Sequence, residues 1–136
     1  MKLQDAYALE NNKAGDWVAI GYSAPGDKDG DGNHYKSQNF WYAGSGYKAA
    51  SGTGDDATAE ANAFWSASAR VKMNDCPLVA SKITAGSGQW NIEATISTAT
   101  TAGDQNTISY TASYGSNLDE SCGGLTPSFK TITRSN

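Results

Sequence analysis

The chain is poor in the residues that build most catalytic and metal sites, with one histidine and two cysteines among its 136 residues. No serine or cysteine stands in a recognisable catalytic pattern with His34, and no GxSxG motif is present. Cys76 and Cys122 form no CxxC pair, so a zinc site made of cysteine and histidine would lack ligands. We therefore expect that the protein is not an enzyme.

Positive charge is also scarce. The sequence has 10 lysine and arginine residues against 14 aspartate and glutamate residues, which gives a net charge of −4. A surface that follows the phosphates of nucleic acid needs clustered cations. Nucleic acid is therefore not an expected partner.

The chain lacks a long apolar run. No stretch could span a membrane, and the first residues do not show a signal-peptide pattern. Leu3, Ala6 and Tyr7 nevertheless recur at helical spacing, and no capping residue precedes them. We interpret residues 1–14 as the C-terminal part of a longer helix whose missing part would be the only contact with a membrane.

The two cysteines predict a disulfide. Cys76 lies between Asp75 and Pro77, and two glycines follow Cys122, so both have the neighbours of surface turns. On the chain-entropy model, closing so long a loop stabilises a fold by about 4 kcal/mol. The alternative is a pair of buried free thiols in a cytosolic protein. The disulfide would place the protein in an oxidising compartment, after removal of an export signal.

Alternation of apolar and polar residues predicts three antiparallel strands. The intervening residues, Ser66 and Ser68 among them, are expected to face water. The apolar positions are Trp65, Ala67, Ala69, Val71 and Met73, then Trp90, Ile92, Ala94 and Ile96, then Ile108, Tyr110, Ala112 and Tyr114.

We predict one domain of the α+β class, with an N-terminal helix packed on an antiparallel β-sheet, a long αβ-loop and one disulfide. Residues 15–61 form the loop region, in which Trp17–Ile20 and Phe40–Tyr42 are interpreted as short extended segments. Residues 62–136 contain the sheet and the region bracketed by the cysteines, and residues 128–134 form an edge strand or an ordered tail.

The helix is expected to cover the sheet. A lone helix of this length is marginal in water and needs packing to persist. We therefore expect Leu3, Ala6 and Tyr7 to lie on the sheet face that holds Trp65 and Trp90.

One acidic loop is typical of a calcium site. Asp27, Asp29 and Asp31 stand two apart before a glycine, as in the first part of a DxDxDG calcium loop. The twelfth position is Gln38, which cannot supply a bidentate carboxylate, so the loop is not an EF-hand. Two interpretations stay open: a calcium site formed by the three aspartates and a backbone carbonyl near Asn33, or a solvated acidic turn.

Phe40, Trp41 and Tyr42 form the densest aromatic cluster. Exposed rings of this kind stack on sugars or on partner proteins, whereas buried ones pack in a core. Both interpretations stay open, and the three rings are candidates for a surface-binding site.

In layout, the chain resembles the soluble head of a bacterial type IV pilin or pseudopilin without its hydrophobic N-terminal helix. The resemblance in sequence lies in "KLQDAYALENNKAGDWVAIGYSAPG", which looks like the stretch where such a helix leaves the filament core. The resemblance implies an exported structural subunit of a cell-surface filament, whose partners are other copies of the same chain. Cys76 and Cys122 match the cysteines that bracket the C-terminal region of such heads, and some members also bind calcium in the head.

A second hypothesis is a secreted carbohydrate-binding module. The aromatic residues, the disulfide and a calcium ion would all suit it. It predicts that Phe40, Trp41 and Tyr42 form one flat exposed strip that binds a surface polysaccharide.

Overall fold

The computed structural model describes residues 1–11, 14–30, 32–46, 62–97, 103, 107–116 and 118–135. Its main feature is one seven-stranded antiparallel sheet, in which the strands lie side by side in chain order. The strands are β1 (Asp27–Lys28), β2 (His34–Lys36), β3 (Phe40–Ser45), β4 (Asn62–Ala69), β5 (Trp90–Ser97), β6 (Thr107–Tyr114) and β7 (Arg134–Ser135). The helical segments are α1 (Lys2–Asn11), α2 (Trp17–Ile20) and a 3-10 turn at Phe129–Ile132.

The three strands predicted from alternation are present as β4, β5 and β6, and β3 confirms the extended segment at Phe40–Tyr42. Val71 does not belong to β4, because the chain turns after Ala69 into a short bridge between Met73 and Cys76. Its side chain is 42% exposed instead of lying on the apolar face of the sheet.

Register gives the sheet one apolar face. Trp65 lies opposite Ile92, which lies opposite Ala112 on the next strand. Two of the three apolar clusters pack at opposite ends of this face. The first contains Ala8, Ala14, Ala63, Ala94, Ile96, Ile108 and Tyr110. The second contains Ala67, Ala69, Trp90 and both cysteines, with Leu118, Leu125 and Phe129 packed against them.

Only part of the second face of the sheet is exposed to solvent. Ser66 and Ser68, predicted to face water, are 0% and 1% exposed. The segment of residues 77–88 covers them: the Gly86 amide donates to Ser66 Oγ at 2.8 Å, and Trp41 Nε1 donates to the Val79 carbonyl at 2.8 Å. Alternation indicated which residues share this face but could not show that a later segment crosses it.

The predicted α+β fold class is wrong. The protein is mostly antiparallel sheet, and α1 is the one helix longer than a single turn in the described part of the chain. The expected stripe does not cover the sheet: Leu3 is 45% exposed and Ala6 is exposed, while Gln4 and Ala8 are buried.

The orientation of α1 has a polar cause. Gln4 is buried because its amide group binds the backbone of Gly15, and this turns Leu3 outward. The apolar stripe was therefore a poor guide to the buried side of this helix.

Trp17–Ile20 is a helical turn and not the extended segment that was predicted. Asp16 caps its first turn by accepting a hydrogen bond from the Ala19 amide at 2.8 Å, and Gly21 ends it in the left-handed conformation with a φ of 74°. These are the usual start and stop signals of a helix, here only four residues apart.

The predicted disulfide is confirmed: Cys76 and Cys122 are bonded, with their Cα atoms 4.5 Å apart and both side chains fully buried. Within the described ranges, no helix has the length and apolar character needed to cross a bilayer.

Candidate functional site

The proposed calcium ligands are placed in different surroundings. Asp27 is exposed on β1, and the backbone amide of Asp29 donates to the His34 carbonyl at 2.8 Å. Asp31 lies outside the described residues. No group of three or more acidic, histidine or cysteine side chains suited to a metal occurs in the part of the chain that the structure covers.

Asn33 has a structural task. Its side-chain oxygen accepts from the Trp17 amide at 2.9 Å, and its amide nitrogen donates to the Asp16 carboxylate at 3.0 Å. Its backbone carbonyl accepts from the Gly44 amide at 2.8 Å. Both oxygens that Asn33 would offer to calcium therefore already hold α2 and β3 in place.

A protein cation lies beside the same loop. Lys82 Nζ is 3.6 Å from the position that a Cβ atom on Gly30 would take. The lysine ammonium therefore places a positive charge beside the loop at Gly30. The calcium site stays a prediction.

The three aromatic candidates do not share one face, because side chains of a strand alternate. Phe40 and Tyr42 lie on the apolar face, with ring centroids 6.0 Å apart. Trp41 lies on the other face, where the Arg70 guanidinium stacks 4.7 Å from its ring centroid. The flat strip expected of a carbohydrate-binding module is therefore not formed by these three rings.

Phe40 and Tyr42 belong to a row of packed rings. Phe40 contacts Trp90 at a centroid distance of 5.8 Å, and Tyr42 contacts Trp65 at 6.0 Å with an angle of 51° between the rings. Tilted contacts of this kind are typical of core packing rather than of a planar stacking surface. Partial burial raises the pKa of the Tyr42 phenol above its usual value.

A groove of about 380 Å³ opens between α1, α2 and the apolar face. Its floor lies between the two apolar clusters, where Trp65 and Ile92 are only half-buried. Tyr22 borders it and its hydroxyl accepts from Trp65 Nε1 at 3.3 Å. The lining of the groove includes Leu3, Ile20, Tyr22, Trp65, Ile92 and Tyr110.

One wall of the groove is fixed by polar contacts. Gln4 Nε2 donates to the Gly15 carbonyl at 2.8 Å, and the Gly15 amide donates to Gln4 Oε1 at 2.7 Å. The Tyr110 hydroxyl donates to the Asp5 carboxylate at 2.5 Å. Helix α1 is thus tied both to the chain after it and to β6.

Sequence reasoning did not find this groove. The pairing of Trp65 with Ile92 could be inferred from two alternating strands. The positions of Ile20 and Leu3 could not be inferred. Ile20 lies in a helical turn that the sequence predicts to be extended, and the position of Leu3 depends on the orientation that Gln4 gives to α1.

No family model, no curated protein and no solved structure matches the chain.

Proposed function

We propose that the protein is a structural subunit of an extracellular filament of the type IV pilus kind, which assembles with other copies of itself. Adhesion or motility would then belong to the filament rather than to one subunit. The observation that carries the proposal is an apolar surface that runs from the exposed side of α1 into the groove.

This surface has the composition of a protein contact. Met1 and Leu3 are 49% and 45% exposed and border the groove, whose floor contains the half-buried Trp65 and Ile92. Contiguous exposed apolar surface of this kind marks interaction sites in soluble proteins. Single exposed apolar residues would not need such an explanation.

Rigidity also supports the proposal. A subunit must hold its contact surfaces in one geometry if the same contact is to repeat along a filament. The bonds of Gln4 to Gly15 and of Tyr110 to Asp5 hold α1 in a fixed orientation. The helix therefore presents Leu3 in a defined position without large loss of side-chain or backbone freedom on assembly.

The buried disulfide is compatible with an exported protein, since such bonds persist in oxidising compartments. The disulfide therefore supports an extracellular location, but it does not bear on whether the chain assembles into a filament.

Immunogold electron microscopy on intact source cells tests the proposal. Antibodies raised against this chain should label surface filaments along their length, and disruption of the gene should remove both label and filaments. Recovery of the chain only as a monomer in the medium, with filaments unchanged after gene disruption, would rule the proposal out.

A further inference from the structure

Strands β5 and β6 carry an open array of hydroxyl groups on the second face of the sheet. Thr95 lies opposite Ser109, and Ser97 lies opposite Thr107. Their side chains are exposed or half-exposed. We call this surface the hydroxyl face; its members are Thr95, Ser97, Thr107, Ser109, Thr111 and Ser113.

The hydroxyl face differs from its covered continuation. Ser66 Oγ donates to Asn91 Oδ1 at 2.6 Å, and Ser68 Oγ accepts from the Gln89 amide at 2.9 Å beneath residues 77–88. In the described part of the chain, by contrast, no side chain or backbone group forms a hydrogen bond with the six hydroxyls of the hydroxyl face. Each hydroxyl has one donor and two acceptor positions, and no group in the described ranges occupies them.

The face is almost uncharged. Among the described residues of β5 and β6 on this side of the sheet, Glu93 is the one ionisable group, and it accepts a hydrogen bond from the Asn62 side-chain amide at 2.9 Å. Protein surfaces usually intersperse many more charges of both signs. An anionic polymer would therefore find no cation here to pair with, whereas a neutral polymer needs none.

An aromatic ring borders the array. Phe64 pairs with Glu93 in the sheet and is half-exposed, with its ring beside Gly86 at the edge of the covering segment. A ring next to hydroxyl, amide and carboxylate groups offers an apolar surface for the C–H side of a sugar and polar groups for its hydroxyls.

The array is also regular. Residues two apart on a strand lie about 6.8 Å apart and neighbouring strands about 4.8 Å apart, so the hydroxyls repeat at fixed spacings. Short side chains lose less rotamer freedom on contact than lysine or arginine would. A repetitive ligand is the kind that such a surface can contact at many points.

We propose that the hydroxyl face binds a neutral polysaccharide. This inference deepens the proposed function and rests on it in one respect: a filament presents many copies, so that weak contacts of single subunits add up to firm attachment. The binding itself is a property of one chain and is measured without filaments.

The test uses the full chain coupled at high density to fluorescent beads, mixed with insoluble cellulose, chitin or mannan. At least one of these polymers should retain the beads. Replacing Thr95 and Thr111 together by valine keeps shape and strand preference but removes two hydroxyls, and it should weaken retention about tenfold.

The matched control replaces Ser81 by alanine and Thr84 by valine, two exposed positions outside the hydroxyl face. It should retain beads like the wild type. Absence of retention on all three polymers, or equal loss in both variants, would overturn the inference. If the beads are retained but immunogold shows that the chain is a secreted monomer, polysaccharide binding by the hydroxyl face would be supported and the filament proposal would be wrong.

Discussion

Gln4 and Gly15 are joined by two reciprocal hydrogen bonds, in which the side-chain amide of one residue binds both backbone polar groups of the other. Gln4 is 7% exposed, so these bonds replace water that cannot reach the site. The pair holds α1 to the segment that follows it, and Gln4 is part of the lining of the groove.

Gln4→Ala should lower the free energy of unfolding by about 1–3 kcal/mol, because the Gly15 amide and carbonyl would be left buried without partners. Urea denaturation followed by tryptophan fluorescence measures the change. Lys2→Ala, at an exposed position of the same helix, is the control and should leave the stability nearly unchanged. Equal stability of both variants would mean that the Gln4 contact does not hold the helix.

Leu3→Glu should weaken self-association about tenfold or more, because it removes a large apolar side chain from the proposed contact and adds a charge. Sedimentation velocity of the purified chain over a range of concentrations gives the association constant. Leu78→Glu is the matched control, since Leu78 is similarly exposed, at 52%, but lies outside the groove. Equal weakening by both variants would contradict a contact at the groove.

Removal of the disulfide by the double change Cys76→Ser and Cys122→Ser should lower the free energy of unfolding by about 2–5 kcal/mol. The bond joins the beginning of the segment that covers Ser66 to the C-terminal residues packed on the apolar face. Thermal unfolding by circular dichroism measures the effect. If a reductant destabilises the double variant as much as the wild type, the reductant acts on something other than this bond.

The sequence was informative where structure repeats at short range. Alternation gave β5 and β6 almost to the residue, and the turn-forming neighbours of the cysteines predicted their bond. It failed where a distant polar contact decides the outcome. Ser66 is buried by a segment that begins more than ten residues later, and Leu3 is exposed because of a bond between Gln4 and Gly15.

For the candidate sites too, local patterns indicated which residues to consider, whereas tertiary contacts determined their surroundings. Phe40, Trp41 and Tyr42 could be singled out by composition, but strand alternation puts Trp41 on a different face from the other two. The side chain of Asn33 binds Asp16 and Trp17, which spacing did not reveal, while the calcium site itself stays a prediction. Side-chain commitments of this kind depend on tertiary contacts that no local pattern contains.

Asn33→Ala should lower the free energy of unfolding by about 1–3 kcal/mol, since the Trp17 amide and the Asp16 carboxylate would lose a buried partner. The loss should be the same in a chelator and in millimolar calcium, because it arises from α2 and not from a metal. Differential scanning fluorimetry under both conditions measures it. A loss seen only with calcium would instead make Asn33 a ligand.

The Tyr42 phenol should make stability fall at alkaline pH. Its pKa is raised from 10.0, mainly because burial disfavours the charged phenolate. Below the unfolded pKa both states are protonated and the contribution is fully present. As the pH rises through the folded pKa, the unfolded chain has already lost its proton, so the contribution disappears. Urea denaturation at neutral pH and at about pH 11 should show a smaller alkaline loss in Tyr42→Phe than in the wild type. An identical alkaline loss in both proteins would assign the effect to other groups.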